Sequence, residues 1–441
     1  MPQSRITEAN RFLEEDNNDE ALRLASKELD ENPDDMKALF IASRAMLNMD
    51  RPGIALPACL HYVNLYPTMP QGWDNLGQAY TGTFMFEEAE EAFRNGLVTD
   101  PRNYSLNNSL ALLHLFKAEP DKALKYADRA VALGGKDAVS PVFNAALASF
   151  MKGDFEAGWM LYDVGLGKVG GDRKEMSYRD PREPRWIGEK GMTVVAYGEQ
   201  GLGDEIAFAS CIPDLKRDCD VIIDCSKRLE NLFKRSFGVP TYGTLHDKTA
   251  PWVQDHAIDA RIAFGSIPRY YRKKLSDFPR KPYLVADPEK RKHWRAILDT
   301  YPGKKIGIAW RGGNLKTGQA LRSIPIEHWE PILNQDATFI ALEHKEFDPH
   351  PKVKDFRKWY ATDDYDDTAA LVAELDKVIS VTTAVVDIAG ALGTPCDVFV
   401  PEKPMWRYAI EPNPWYDITC FRQLKGEPWS KTLRRYATQR P

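Results

Sequence analysis

The sequence predicts an α + α/β protein: a helical solenoid over about residues 1–170, then two doubly wound α/β units. Three observations predict it. Pro33, Pro67 and Pro101 stand 34 residues apart, and Gly135 falls on the next beat. Near residue 190 the hydrophobic period changes from helical to strand–turn–helix. A Pro-rich, charged stretch from Phe278 through Pro282 to Asp287 and Pro288 then reads as a linker between two rounds of that alternation.

The repeats come first. Between Pro67 and Pro101 the chain carries Trp73, Leu76, Gly77, Tyr80, Ala89, Phe93 and Gly96. That spacing resembles the tetratricopeptide pattern. Small residues at Gly77 and Ala89 let two antiparallel helices approach, Tyr80 and Phe93 fill the seam, and Pro101 ends the second helix. Other copies keep register through Ala21, Ala25 and Pro33, through Ala55, Cys59 and Pro67, and through Ala123, Ala127, Ala130 and Gly135. A fifth, weaker unit runs through Ala145, Ala157 and Leu161. An accidental hairpin explains one match, but four points in phase indicate a true solenoid. Its concave face is expected to carry Asn107, Asn108 and Asn144 and to recruit a partner.

Composition bounds the rest. A chain of 441 residues is too long for one core, and the length prior suggests roughly three domains. A net charge of −5 gives no support for a general nucleic-acid binder. The N-terminus has no apolar signal core, and the longest apolar stretch, 378–393, contains Asp387, so no membrane span is indicated. Six cysteines (Cys59, Cys211, Cys219, Cys225, Cys396, Cys420) form no Cys-x-x-Cys pair and look like core residues of a reducing compartment. A cytoplasmic location is expected. The histidines are scattered, so no metal site is defensible.

The first α/β domain is expected over 190–280. Its strand 192–197 leads through Gly198-Glu199-Gln200-Gly201-Leu202-Gly203-Asp204 into a helix containing Ile206, Phe208 and Leu215. A strand over 221–225 and a helix over 229–237 follow. The second domain is expected over 290–441. It has strands at 305–310, 338–342, 378–381 and 397–400, helices at 326–333, 367–375 and 384–392, and a polar loop from Arg311. Ligands in such folds sit at the carboxyl ends of the strands.

The glycine loop lacks the Gly-Lys-Ser/Thr of a Walker loop, and its Gly-x-x-Gly-x-Gly spacing is not the dinucleotide fingerprint, although Asp224 lies near the ribose-acid position. A carboxylate at Asp204 would repel a pyrophosphate there. It suits a general base facing an acceptor hydroxyl, with Glu199 next in line, or it merely caps the helix.

Further motifs occur in a fixed order. Gly307-Ile308-Ala309-Trp310 precedes Arg322-Ser323-Ile324-Pro325 and Asp367-Thr368-Ala369-Ala370-Leu371; then come Asp376, Val378-Ile379-Ser380-Val381, the run from Ala389 to Pro395, Trp406-Arg407 and Trp415-Tyr416. With the glycine loop and the repeats, the chain resembles bacterial tetratricopeptide-glycosyltransferase proteins whose catalytic half is similar to the lipopolysaccharide heptosyltransferases. The resemblance implies two Rossmann-like domains in the type-B glycosyltransferase arrangement. It implies sugar transfer from a nucleotide-sugar donor with inversion, and no cofactor or metal. Carried over by position, Asp204 is the general base. Gly201, Gly203, Trp310 and Arg311 join the donor site. Lys316 and Arg322 are its cations, Glu343 binds ribose, and the backbone at Thr382, Thr383 and Ala384 faces the diphosphate.

Bland readings stand beside these roles: a solvated loop for Lys316 and Arg322, and an N-cap for Thr382 and Thr383. Two positions depart from the family. Thr382 replaces an acid, and Asp387 replaces a His, so Asp387 would either repel donor or hold a different cation. The implied partners are a nucleotide sugar and, through the repeats, an acceptor protein or glycan. A non-catalytic scaffold with a degenerate transferase half competes with the enzyme. Transfer onto modified nucleic acid is the weaker alternative.

Overall fold

The computed structural model describes residues 4–135, 138–168, 173–179, 181–247, 249–313, 318–357 and 364–440. The chain separates into two compact units, Met1–Ser149 and Phe150–Pro441.

Helices of the first unit are α1 (Arg5–Glu14), α2 (Asn18–Glu31), α3 (Met36–Asn48), α4 (Pro52–Leu65), α5 (Pro70–Gly82), α6 (Phe86–Thr99), α7 (Tyr104–Phe116) and α8 (Pro120–Gly134), with α9 (Val139–Met151) running across the boundary. The starts of α2, α4, α6 and α8, at 18, 52, 86 and 120, step by 34, as do those of α3, α5 and α7 at 36, 70 and 104. From α1 to α8 each helix packs on the next, and α1, α3, α5 and α7 also stack on one another. This is a tetratricopeptide-like helical repeat.

Local chemistry sets the boundaries. Asn17, Asp35 and Asn103 accept the N3 amides of α2, α3 and α7, while Pro52, Pro70 and Pro120 open α4, α5 and α8. Pro33, Pro67 and Pro101 each stand two residues past a helix end. Between the helices of each pair one residue turns left-handed: Asp16, Asp50, Phe84 and Ala118, with φ of 58°, 56°, 62° and 54°, again 34 apart. At Gly77 a Cβ would lie 2.3 Å from the Phe93 ring, which is why that seam needs glycine.

The expected face of asparagines is corrected at two positions. Asn144 donates to Asn108 Oδ1 at 2.9 Å across consecutive repeats but is itself buried, and Asn107 is 1% exposed and donates to the Asn103 carbonyl. Asn107 is an interior residue.

In the second unit the helices are α10 (Phe155–Tyr162), α11 (Leu202–Ala209), α12 (Ile212–Asp218), α13 (Glu230–Phe237), α14 (Pro268–Tyr271), α15 (Pro288–Leu298), α16 (Gln319–Arg322), α17 (Glu330–Leu333), α18 (Tyr365–Ala373), α19 (Ala384–Leu392) and α20 (Trp429–Gln439). Strands β1 (Thr193–Tyr197), β2 (Asp220–Asp224), β3 (Thr241–Tyr242) and β4 (Ala260–Ala263) form one parallel sheet, ordered β3-β2-β1-β4. Strands β5 (Lys304–Ala309), β6 (Ala337–Ala341), β7 (Val353–Lys354), β8 (Lys377–Val381), β9 (Cys396–Val400) and β10 (Thr419–Arg422) form a second, ordered β10-β9-β8-β5-β6-β7. Strand order reverses between β1 and β4, and between β5 and β8, and such switch points open a crevice at the carboxyl ends. The second sheet packs Ile308, Trp310, Trp329, Phe339, Phe399 and Tyr436 into one apolar cluster.

The solenoid was expected to reach about residue 170. Helix α10 keeps the 34-residue phase within one position (120 + 34 = 154), yet it belongs to the second unit. There Trp159 and Tyr162 pack on Phe208, and Trp159 Nε1 donates to the Arg272 carbonyl. Its aromatic side chains decide where it packs. Among the described residues no helix is long and apolar enough to cross a membrane.

Candidate functional site

The chain leaves β1 at Tyr197 and turns through Gly198–Gly201 into α11, whose N-cap is Gly201. Asp204 stands in the first turn with its amide on the Gly201 carbonyl, so the capping position is not its own. Its side chain keeps a third of its surface exposed and reaches Arg407, Oδ1 to Nη2, at 3.5 Å.

Against this turn packs the first turn of α19, which follows β8 at the switch point of the second sheet. The approach is tight: a Cβ at Gly203 would lie 2.5 Å from Asp387 Oδ2 and 3.4 Å from Ala384 Cα. Thr383 occupies the N-cap of α19 without a side-chain cap bond. Thr382 is buried, and its hydroxyl has no hydrogen-bond partner among the described residues. Thr383 therefore holds the N-cap position without capping through its side chain, and Thr382 does not cap the helix. An open helix N-terminus with its amide donors is a site for an anion.

Asp387 is 1% exposed and fully engaged with Arg407, Nη1 to Oδ1 at 2.7 Å and Nη2 to Oδ2 at 3.4 Å. Arg407 Nη1 also donates to the Gly203 carbonyl at 3.4 Å. The "different cation" expected beside Asp387 is this arginine. Burial pushes the Asp387 carboxyl up to about 6; Arg407 pulls against that, and the Asp204 charge adds to it. Burial works against the Arg407 charge, but Asp387 and Asp204 hold the guanidinium well above its ordinary range.

Arg322, at the end of α16, is also buried, which removes the solvated-loop reading. It donates to the Thr382 carbonyl at 3.3 Å and fills the space beside Gly313, where φ is 76°. Burial lowers its pKa. Two guanidiniums thus flank the start of α19. Lys316 lies outside the described residues.

The remaining donor-site expectations are corrected. Trp310 is a core residue, 4% exposed, with its amide on Glu343 and its carbonyl taken by the Ile324 amide. Glu343 Oε1 accepts from the amides of Trp310 and Arg311, and Oε2 from Arg311 Nε. Arg311 gives its other guanidinium hydrogens to the Lys345 and Glu346 carbonyls. These three residues lock the ends of β5 and β6 to each other. Glu199, the alternative base, is buried on Arg173 at 2.9 Å and on the Gly265 amide, and is structural.

Arg407 was missed as a site residue, although the Trp406-Arg407 motif is visible in the sequence.

No family model matches the chain. Protein FlbA of Caulobacter vibrioides is 26% identical over 464 aligned positions, covering 90% of this chain and 76% of FlbA. A match of that extent includes most of the α/β unit as well as the repeats. Among solved structures, MamA aligns with 35% of this chain and 91% of its own at 17% identity and a TM-score of 0.31. TTC0263, a TPR protein of Thermus thermophilus, aligns with 36% and 88% at 23% identity and a TM-score of 0.34. The repeat assignment rests on the helix spacing itself.

Proposed function

We propose that the α/β unit is a glycosyltransferase that moves a sugar from a nucleotide-sugar donor to a hydroxyl of a protein or glycan, with inversion, while the repeats recruit the acceptor or a partner protein. The observation that carries this reading is the meeting of two first turns: α11 brings a half-open carboxylate, and α19 brings uncapped amides flanked by two arginines. The reversal of strand order at β1/β4 and at β5/β8 supports a reading as two Rossmann-like halves, in which a type-B enzyme would hold donor and acceptor on facing carboxyl edges. Asp204 takes the hydroxyl proton as the acceptor oxygen attacks the anomeric carbon. The amides of α19 with Arg322 and Arg407 stabilise the charge that collects on the departing phosphate, so positive charge for that step is supplied by the chain.

The test is a panel of nucleotide sugars, read first as thermal stabilisation by mass action and then as transfer. Asp204→Asn is expected to lower transfer roughly 10²–10⁴-fold with donor binding retained. Near-normal turnover of that variant sinks the assignment. A second reading, a non-catalytic scaffold, is favoured by one observation: Arg407 already satisfies both carboxylates. A melting point that no nucleotide sugar moves supports the scaffold.

A further inference from the structure

The guanidinium of Arg407 contacts Asp387, Asp204 and the Gly203 carbonyl at once. Its contact with Asp387 is short and two-pronged, whereas that with Asp204 is a looser 3.5 Å approach. It contacts the first turn of α19 through Asp387, while Arg322 holds the Thr382 carbonyl just before that helix.

We infer that Arg407 is the leaving-group arginine of this site and also its gate: it rests on Asp387 and Asp204, and turns to the phosphate of the donor when that anion reaches the α19 N-terminus. The inference rests on the glycosyl-transfer reading and adds an order to it. While Arg407 sits on Asp204, Oδ1 of that carboxylate is turned to the guanidinium rather than to an acceptor hydroxyl. Donor phosphate, with more charge and more acceptor oxygens than one carboxylate, competes for the same fork of N–H donors. Once Arg407 has moved, Asp204 is released to take the acceptor proton. The oxygen–anomeric carbon bond then forms, the anomeric carbon–phosphate oxygen bond breaks, and the nucleotide departs with the electron pair onto Arg407 and the α19 amides. Donor must therefore bind before the acceptor can react.

Leaving Asp387 without its partner does not strand a buried charge. Its surroundings are Asp204, Arg322, Tyr283, Tyr408, Tyr416 and Arg407 itself, and its carboxyl, already pushed up to about 6 with Arg407 in place, takes a proton when the arginine departs.

Inorganic pyrophosphate is the probe, titrated by calorimetry into the full chain. Asp387→Asn removes the carboxylate that competes for Arg407, so pyrophosphate affinity is expected to rise five- to tenfold; Arg407→Gln is expected to lose it tenfold or more. A purely structural ion pair predicts the opposite sign for Asp387→Asn, because breaking it loosens α19. Where Arg407→Gln alone does not fold, the double variant Arg407→Gln/Asp387→Asn removes both charges together. Its affinity must fall below wild type; a double variant as tight as Asp387→Asn shows that the gain came from general charge and overturns the inference. Two further results separate the inference from the reading beneath it. If wild type transfers sugar but Arg407→Gln/Asp387→Asn keeps kcat within threefold and pyrophosphate affinity unchanged, Arg407 has no such role and the transferase stands. If the pyrophosphate pattern holds but no donor of the panel is transferred, the arginine stands and the transferase reading fails.

Discussion

The two units stabilise themselves by different means. In the repeats the buried polar contacts come from the next repeat: Asn75 on Ser43, Asn144 on Asn108, and Ser105 and Ser109 on Asp74, separated by 31 to 36 residues. In the α/β unit buried guanidiniums meet carboxylates drawn from farther along the chain, such as Arg272 on Asp214, 58 residues away, and Arg261 on Glu175, 86 away. Contacts there span up to 204 residues, the separation of Arg407 from Gly203. Contacts that reach only the next repeat make a unit whose parts tolerate change separately. Distant, charged ones make a unit in which one lost partner leaves a buried charge behind.

The largest expected break is Arg173→Ala. It strands Glu199, whose burial already raises its pKa, and is expected to cost about 3–5 kcal/mol. Hydrogen exchange measured segment by segment should show β1 and β4 losing protection while α1–α8 keep theirs; an even loss across both units would break the comparison.

Acid comes next. The hydrogen bond from Arg185 holds the Glu175 carboxyl down to about 2, with burial opposing and Arg261 assisting. A depressed folded-state pKa stabilises above the unfolded value of 4.5 and is lost as pH falls from there toward 2. Urea melts of wild type against Glu175→Gln should converge by about 2 kcal/mol over that window, with the difference constant above pH 6.

A smaller effect belongs to the repeats. Gly77→Ala drives a methyl group into the Phe93 ring and should cost roughly 1–3 kcal/mol. Exchange should rise in α5 and α6 and their neighbours only. The smallest is a gain. Ala118 holds a left-handed φ of 54°, and Ala118→Gly should add about 0.5 kcal/mol to the melt of the first unit, its backbone relief exceeding the entropy that glycine loses. A loss there would place the strain elsewhere.

Legibility in the sequence followed the same division. The 34-residue step was readable because helix, turn and proline all act within a few residues of themselves. The strands at 192–197, 305–310, 338–342, 378–381 and 397–400 were readable as apolar runs bounded by turns. Strands β3, β4, β7 and β10 were not, being two to four residues long and paired by distant neighbours. At the site, Asp204, Asp387 and Arg322 could be singled out from their places after strands. What each of them touches could not. Trp310 was placed in the donor site by the resemblance alone, but its ring belongs to the second core with Phe347 at 4.9 Å. Arg407 is visible in the sequence only as an arginine after a tryptophan. Its meaning comes from a fold that brings residue 407 to residue 203.

The hydrogen that Gly203 carries in place of a side chain acts as a gauge across the site. It sets how far Asp204, one residue on, stands from an arginine anchored in the other sheet's half of the unit. One methyl group there would widen the spacing between base and cation without altering either, so the reach of the site toward its substrate is tuned by a residue that has no chemistry of its own.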